Sequence, residues 1–170
     1  AAALNTVNAA TTVNVTTTAV TQITGSVSDL ATTYGGGLTD LGDEAIVVSD
    51  ANITFTEANT VNGYTTGVVT ATLSTTAIDN LDDLNGTGNA YTITVGTAQV
   101  NASALNTVNA ATTVDVNATA VTQITGSAAE LATTYTANNG LTGLGDEIIV
   151  LTETSLAAAT LTPTVNGYST

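Results

Sequence analysis

The chain has 170 residues, of which 14 are Asp or Glu and none is Lys, Arg or His, for a formal net charge of −14; Cys, Met and Trp are also missing. No basic side chain is available to displace counterions from a phosphate backbone, and no Cys or His can supply a zinc site, a disulfide or a Ser-His or Cys-His nucleophile. A hydrophobic content of 43 % is too high for intrinsic disorder, yet no apolar run approaches the roughly 20 residues of a membrane-spanning helix.

Internal similarity organises the rest. The block Leu4–Tyr34 (LNTVNAATTVNVTTTAVTQITGSVSDLATTY) recurs as Leu105–Tyr135 (LNTVNAATTVDVNATAVTQITGSAAELATTY), an offset of 101. GLTDLGDEAIVV, starting at Gly37, recurs at Gly140, and TVNGY at Thr60 recurs at Thr164. The offset drifts because short insertions separate the matched blocks, GGG at Gly35 standing against TANN at Thr136. The chain therefore reads as one solenoid segment, residues 1–170, holding about 1.7 copies of a long repeat (4–104, then 105–170 as a partial copy). With neither an initiator Met nor a basic n-region, no signal peptide is expected, and the sequence reads as a piece of something longer.

A finer period lies within each copy. Inward-type residues at i and i+2 recur every five positions, from Ile46/Val48 through Ala51/Ile53, Thr56/Ala58, Val61/Gly63, Thr66/Val68, Ala71/Leu73 and Thr76/Ile78 to Leu81/Asp83. Residues 84–90 interrupt it. The step resumes at Val114/Val116 and continues through Thr119/Val121, Ile124/Gly126, Ala129/Leu131 and onward to Ala159/Leu161. A period of five is neither helical nor a simple strand alternation. It fits a chain that turns a corner after each short extended stretch, with backbones bonding between rungs about 4.8 Å apart. The expected fold is therefore all-β, a parallel β-solenoid (β-helix) with rungs of about 20 residues, forming a rod on the order of 40 Å long. The alternative is an α/β solenoid of leucine-rich-repeat type. The spacing A-x-x-V-x-V-x-x-T-x-V-x-x-I around Val114 satisfies that template, and Ser127-Ala-Ala-Glu130 makes a capping box for a helical turn over Ser127–Tyr135.

Two resemblances rest on these residues. Ala98-Gln-Val100 followed by Ser103-Ala-Leu105, and Ala71-Thr-Leu73 followed by Thr76-Ala-Ile78, resemble a relaxed pentapeptide-repeat pattern, which implies a four-sided coil. The Thr/Ala/Asn-rich blocks Ala120–Tyr135 and Gly143–Ala158 resemble the tandem arrays of very long bacterial, especially cyanobacterial, cell-surface and adhesin-like proteins. That resemblance implies an extracellular or cell-surface stalk, sheath or filament.

Candidate chemistry is sparse. Asp79-Asn-Leu-Asp82-Asp83-Leu-Asn85-Gly86-Thr-Gly-Asn89 clusters carboxylate and amide oxygens around glycine, as Ca²⁺ requires; Asp82, Asp83, Asn85 and Asn89 are the candidate calcium ligands. The cluster lacks the Glu that closes a D-x-[DN]-x-[DN]-G loop, and a solvated turn explains the same residues. Gly42-Asp43-Glu44 and Gly145-Asp146-Glu147 fall at equivalent positions and are expected to cap strand starts and keep the surface soluble. No carboxylate pair stands out from the repeat and few aromatics are present to stack a sugar, so an enzyme is not expected. The expected function is structural: a rod extended by end-to-end self-association, with no nucleic-acid partner and no membrane insertion. Glycans are a partner class that the 40 Thr would permit. Other readings are a calcium-dependent adhesin, a DNA-mimicking rod and an ice-binding Thr array, the last weakened because pairs such as Thr16/Thr18 and Thr92/Thr94 do not recur on every rung.

Overall fold

The computed structural model describes residues 1–137 and 139–153. The pentads Thr154/Leu156 and Ala159/Leu161 and the second TVNGY lie outside these residues. Six helices occupy the described chain: α1 (Ala2–Ala9), α2 (Val27–Gly35), α3 (Phe55–Asn62), α4 (Ile78–Leu81), α5 (Ala102–Ala111) and α6 (Ala128–Thr134). Between them run short strands β1 (Val15–Thr16), β2 (Gln22–Gly25), β3 (Leu38–Thr39), β4 (Ala45–Val48), β5 (Val69–Thr72), β6 (Ala90–Thr92), β7 (Gln99–Asn101), β8 (Val116–Asn117), β9 (Gln123–Gly126), β10 (Leu141–Thr142) and β11 (Ile148–Leu151).

Every strand pairing is parallel. The four-stranded sheet has the order β2-β4-β5-β6, a three-stranded sheet has the order β11-β9-β7, and β1-β3 and β8-β10 form two small pairs. Parallel neighbours require a crossover, and the register measures it. Gln22 sits opposite Ala45, Thr70 opposite Ala90, Gln99 opposite Gln123, and Gln123 opposite Ile148. One circuit of the chain thus takes 20 to 25 residues, and most circuits carry a helix on the return. The corresponding helices α1 and α5, which share LNTVNA, are separated by α2, α3 and α4, so the long repeat spans four helix-bearing coils.

This corrects the expected all-β solenoid. The protein is mixed α/β, with several short parallel sheets and six helices among the described residues, and its coils are not strand-only rungs of about 20 residues. The reason lies in what the five-residue step samples. Ile46 and Val48, and Ala71 and Leu73, are indeed buried as i, i+2 pairs. At several other steps only one member is inside: Ala51 and Thr56 are exposed while Ile53 and Ala58 are buried. Ala58 and Val61, Ile78 and Leu81, and Leu105, Val108 and Ala111 are buried three apart, a helical interval. Val68, expected inside, is 48 % exposed.

Local chemistry explains why such Thr-rich segments become helices. Ser26, Thr54 and Ser127 each accept the backbone N–H three residues on, and Glu57 and Glu130 complete capping boxes by accepting the N-cap amides, satisfying donors that a helix start leaves orphaned. Within the helices, Thr6, Thr32, Thr60, Thr107 and Thr133 each donate the hydroxyl to the carbonyl four residues back. A residue type that favours strands is thereby accommodated on exposed helical faces. The core is a single column of small aliphatics, including Ile46, Val61, Val69, Leu81, Leu105, Ile124 and Leu131, with Tyr91 the largest buried side chain. Gly126 permits a close approach in this column. A Cβ there would lie 2.7 Å from that of Ala102.

Candidate functional site: the seams between coils

The polar groups of this chain converge on the seams where one coil meets the next. Two sets of bonds recur there. In the first, the opening amide of a helix is capped by a side chain from the following coil. Val27 N–H donates to Asp50 Oδ2 at 2.7 Å, Phe55 N–H to Thr75 Oγ1 at 3.1 Å, Ile78 N–H to Thr97 Oγ1 at 3.0 Å, and Ala128 N–H to Glu153 Oε1 at 2.7 Å. In the second, a helical asparagine reaches into the next coil. Asn5 donates to Asp29 O and accepts from Thr33 Oγ1. Its repeat counterpart Asn106 does the same with Glu130 O and Thr134 Oγ1, at 3.0 and 2.9 Å. Asn59 donates to Asp83 O and accepts from Asn85 N–H. A primary amide has a donor and an acceptor in one plane, so a single Asn satisfies both polarities of the facing backbone.

The proposed calcium residues are distributed along this seam. Asp82 is the C-cap of α4, and Asp83 is exposed with its carbonyl bonded to Asn59. Asn85 donates its backbone N–H to Asn59 Oδ1. Asn89 is only 3 % exposed; its Oδ1 accepts Val69 N–H at 2.9 Å and its Nδ2 donates to Asn62 Oδ1 at 2.8 Å, while its carbonyl accepts Thr113 N–H at 2.7 Å. The Asn89 amide is therefore engaged at both ends in holding strands together. Among the described residues, no group of three or more acidic side chains is placed to hold a metal ion.

The Gly-Asp-Glu positions differ from the expected surface role. Asp43 and Asp146 are exposed, but Glu44 and Glu147 are each 1 % exposed. Glu44 accepts the Tyr34 hydroxyl at 2.9 Å and the Gly42 N–H at 3.0 Å, and Glu147 accepts the Tyr135 hydroxyl at 2.7 Å and the Gly145 N–H at 2.9 Å. Burial, followed by the bond to the carboxylate and its charge, pushes both phenols far above their ordinary range, so each remains a donor. A buried carboxylate is costly unless its oxygens are bonded, and this pairing supplies the bonds without any cation. The sequence held a signal for it: the Tyr and the Glu persist in both copies although the loop between them changes length. Tyr34 also stacks on Tyr64, with ring centroids 4.9 Å apart and an interplanar angle of 8°.

Shallow hollows mark the surface of the described residues. One of about 350 Å³ is lined by Thr18, Asp40, Leu41, Gly42 and Asp43, and one of about 240 Å³ lies between Asp79, Gln99 and Gln123. Neither brings a nucleophile against a base. The side chains at the seams donate and accept hydrogen bonds, and that is the chemistry they can perform. No protein-family model, curated protein or solved structure matches the chain.

Proposed function

We propose that the protein is a structural repeat module, a rod-forming segment of an extracellular or cell-surface assembly that is extended by stacking coil upon coil, end to end. The observation that carries this reading is the seam. Asn5 and Asn106 make the same pair of bonds in the two copies, as do the Tyr34–Glu44 and Tyr135–Glu147 pairs. The polar groups that would be free to act on a ligand are thus spent between coils, where they fix the register of one coil on the next. Stability in such a stack is a sum of coil terms and nearest-neighbour terms. A chain without Lys or Arg offers no tryptic site, and one without Cys or Met lacks the main oxidation targets, properties suited to a long-lived exposed material. The experiment is small-angle scattering on concatemers of residues 4–104 with one, two and three units. A rod whose length grows by a constant increment per unit supports the reading; independent beads at variable spacing would overturn it.

A further inference from the structure

Four Asn-Gly pairs occur in the sequence, at 62–63, 85–86, 139–140 and 166–167, the last outside the described residues. Such a pair carries a latent reaction, because glycine has no Cβ to shield its backbone nitrogen. That nitrogen can close on the side-chain carbonyl carbon of the preceding asparagine. Whether it does so depends on how freely the fold lets the carboxamide swing into the attacking geometry.

The three described pairs are held differently. Asn62 closes α3, its Oδ1 accepts Asn89 Nδ2 at 2.8 Å, and Gly63 N–H donates to Asn59 O and Thr60 O at 3.1 and 3.2 Å. Both the carboxamide and the nucleophile are thus engaged. Asn139 donates Nδ2 to Thr133 O and Thr134 O, and its Oδ1 accepts Leu141 N–H at 3.0 Å. Asn85 is exposed in the segment between α4 and β6. Its backbone N–H is tied to Asn59 Oδ1 at 2.7 Å, but its carboxamide and the Gly86 N–H make no hydrogen bond among the described residues. Packing also demands the glycine. Gly86 has a φ of +79°, and a Cβ there would lie 2.9 Å from Asn62 Nδ2.

We infer that Asn85–Gly86 is a self-modification site at which the chain ages, Asn85 converting to aspartate and isoaspartate with water as the only co-reactant. Gly86 N attacks Asn85 Cγ, the new C–N bond closes a succinimide ring, and the bond from Cγ to the side-chain nitrogen breaks. That nitrogen leaves as ammonia, taking up through solvent the proton that Gly86 N gives up. Water then opens the ring at either carbonyl. One opening leaves aspartate; the other leaves isoaspartate, whose main chain runs through Cβ and is one methylene longer. The longer backbone falls where Gly86 meets Asn62, and Asn62 Oδ1 holds the Asn89 amide that in turn carries Val69 N–H. Conversion therefore loosens this seam. None of this depends on how the chain assembles.

The test incubates the full chain at mildly alkaline pH and follows amide-to-acid conversion at each asparagine by chymotryptic mapping and mass spectrometry. Releasing one or two hydrogen bonds before attack slows the reaction by about tenfold. Asn85 should therefore convert at least about tenfold faster than Asn62 and Asn139, with isoaspartate detected by enzymatic methyl transfer. In the urea-unfolded chain the three rates should converge. Asn85→Ser retains the backbone N–H that Asn59 holds, so it should stay folded by circular dichroism and lose the fast conversion. Aged protein should melt below fresh protein, whereas aged Asn85→Ser should not. Fresh Asn85→Asp, which adds the charge without the methylene, should melt close to the fresh parent. Equal conversion at the three sites in the folded chain, or faster conversion at Asn62 or Asn139, would overturn the inference. An unchanged melting temperature after full conversion of Asn85 would overturn its link to the seam.

Discussion

The Tyr34–Glu44 pair offers the sharpest test of how the seams are stabilised. Tyr34→Phe deletes one hydroxyl and keeps the ring that stacks on Tyr64. The hydroxyl donates at 2.9 Å to a carboxylate that is 1 % exposed. A hydrogen bond to a charged group contributes about 1.5–3 kcal/mol, and a buried acceptor left short of a donor adds its own desolvation cost. After the substitution Glu44 keeps the Gly42 N–H, so we expect a loss near the middle of that range, about 2 kcal/mol. For a chain of this length each kcal/mol lowers the melting temperature by about 2–4 °C, giving an expected drop of about 4–8 °C by scanning calorimetry, with the far-ultraviolet spectrum unchanged. Pairing the variant with Glu44→Gln in a double-mutant cycle should return a coupling of about 1 kcal/mol or more. If Tyr34→Phe shifts stability by less than about 0.5 kcal/mol, the scale of an ordinary surface change, the pair is not a stabilising device and the reasoning fails.

Four further outcomes are expected. Tyr91 is completely buried and its hydroxyl has no hydrogen-bond partner among the described residues, so Tyr91→Phe should be neutral or stabilising by about 1 kcal/mol in urea denaturation. Burial pushes that phenol up to about 12 from 10.0; the folded state holds the proton more tightly, so stability is full below pH 10 and falls as pH rises towards 12, a fall that the Phe variant should lessen. Asn89→Ala removes both ends of a buried bridge and strands the Val69 N–H, and should cost about 3 kcal/mol, read from the same denaturation curves. Backbone N–H bonds from Thr54 and Ser127 hold the Glu57 and Glu130 carboxyls below their usual 4.5; their stabilisation is present above that pH and lost as pH falls through the depressed values, so melting profiles of Glu57→Gln and Glu130→Gln should be flatter on the acid side. Added calcium should leave the melting temperature unchanged, because the Asn89 amide is already engaged; a rise of several degrees, abolished by Asp83→Asn, would establish a cation site in the 79–89 loop.

What the sequence disclosed follows from which constraints are local. The capping box at Ser127 is readable because it depends on residues three apart, and the long repeat because it is a match of the sequence with itself. Helix content was harder to read. Thr and Val weigh towards strands, and the intervals of three that mark the helices, as in Ala58 and Val61, can be absorbed into a five-residue step whose other members are exposed. Two kinds of bond decide it: a Thr hydroxyl turned back on its own helix, as Thr107 on Ser103 O, and a non-local one, as where Asn106 finds its partners a full coil away. Asn5, Asn59 and Asn106 look alike in sequence to any solvated helix residue. Glu44 and Glu147 were misplaced on the surface for a related reason, since Glu is almost never fully buried unless paired, and its partner here is a tyrosine rather than a cation.

The absence of basic side chains acquires a structural meaning at this point. A stack that relied on ion pairs would need Lys or Arg at every seam, held in one geometry at an entropic cost and weakened by salt. Here the joints are neutral amides and hydroxyls, or carboxylates that accept backbone N–H and phenol donors. Such joints are short, directional and self-complementary, so one coil can follow another without a matching charge pattern. Remaining acids such as Asp40, Asp43, Asp83 and Asp146 lie on the exposed surface, where like charges discourage side-by-side association. Exposed acids and neutral joints therefore weigh against lateral clustering, in keeping with the stacking proposed above.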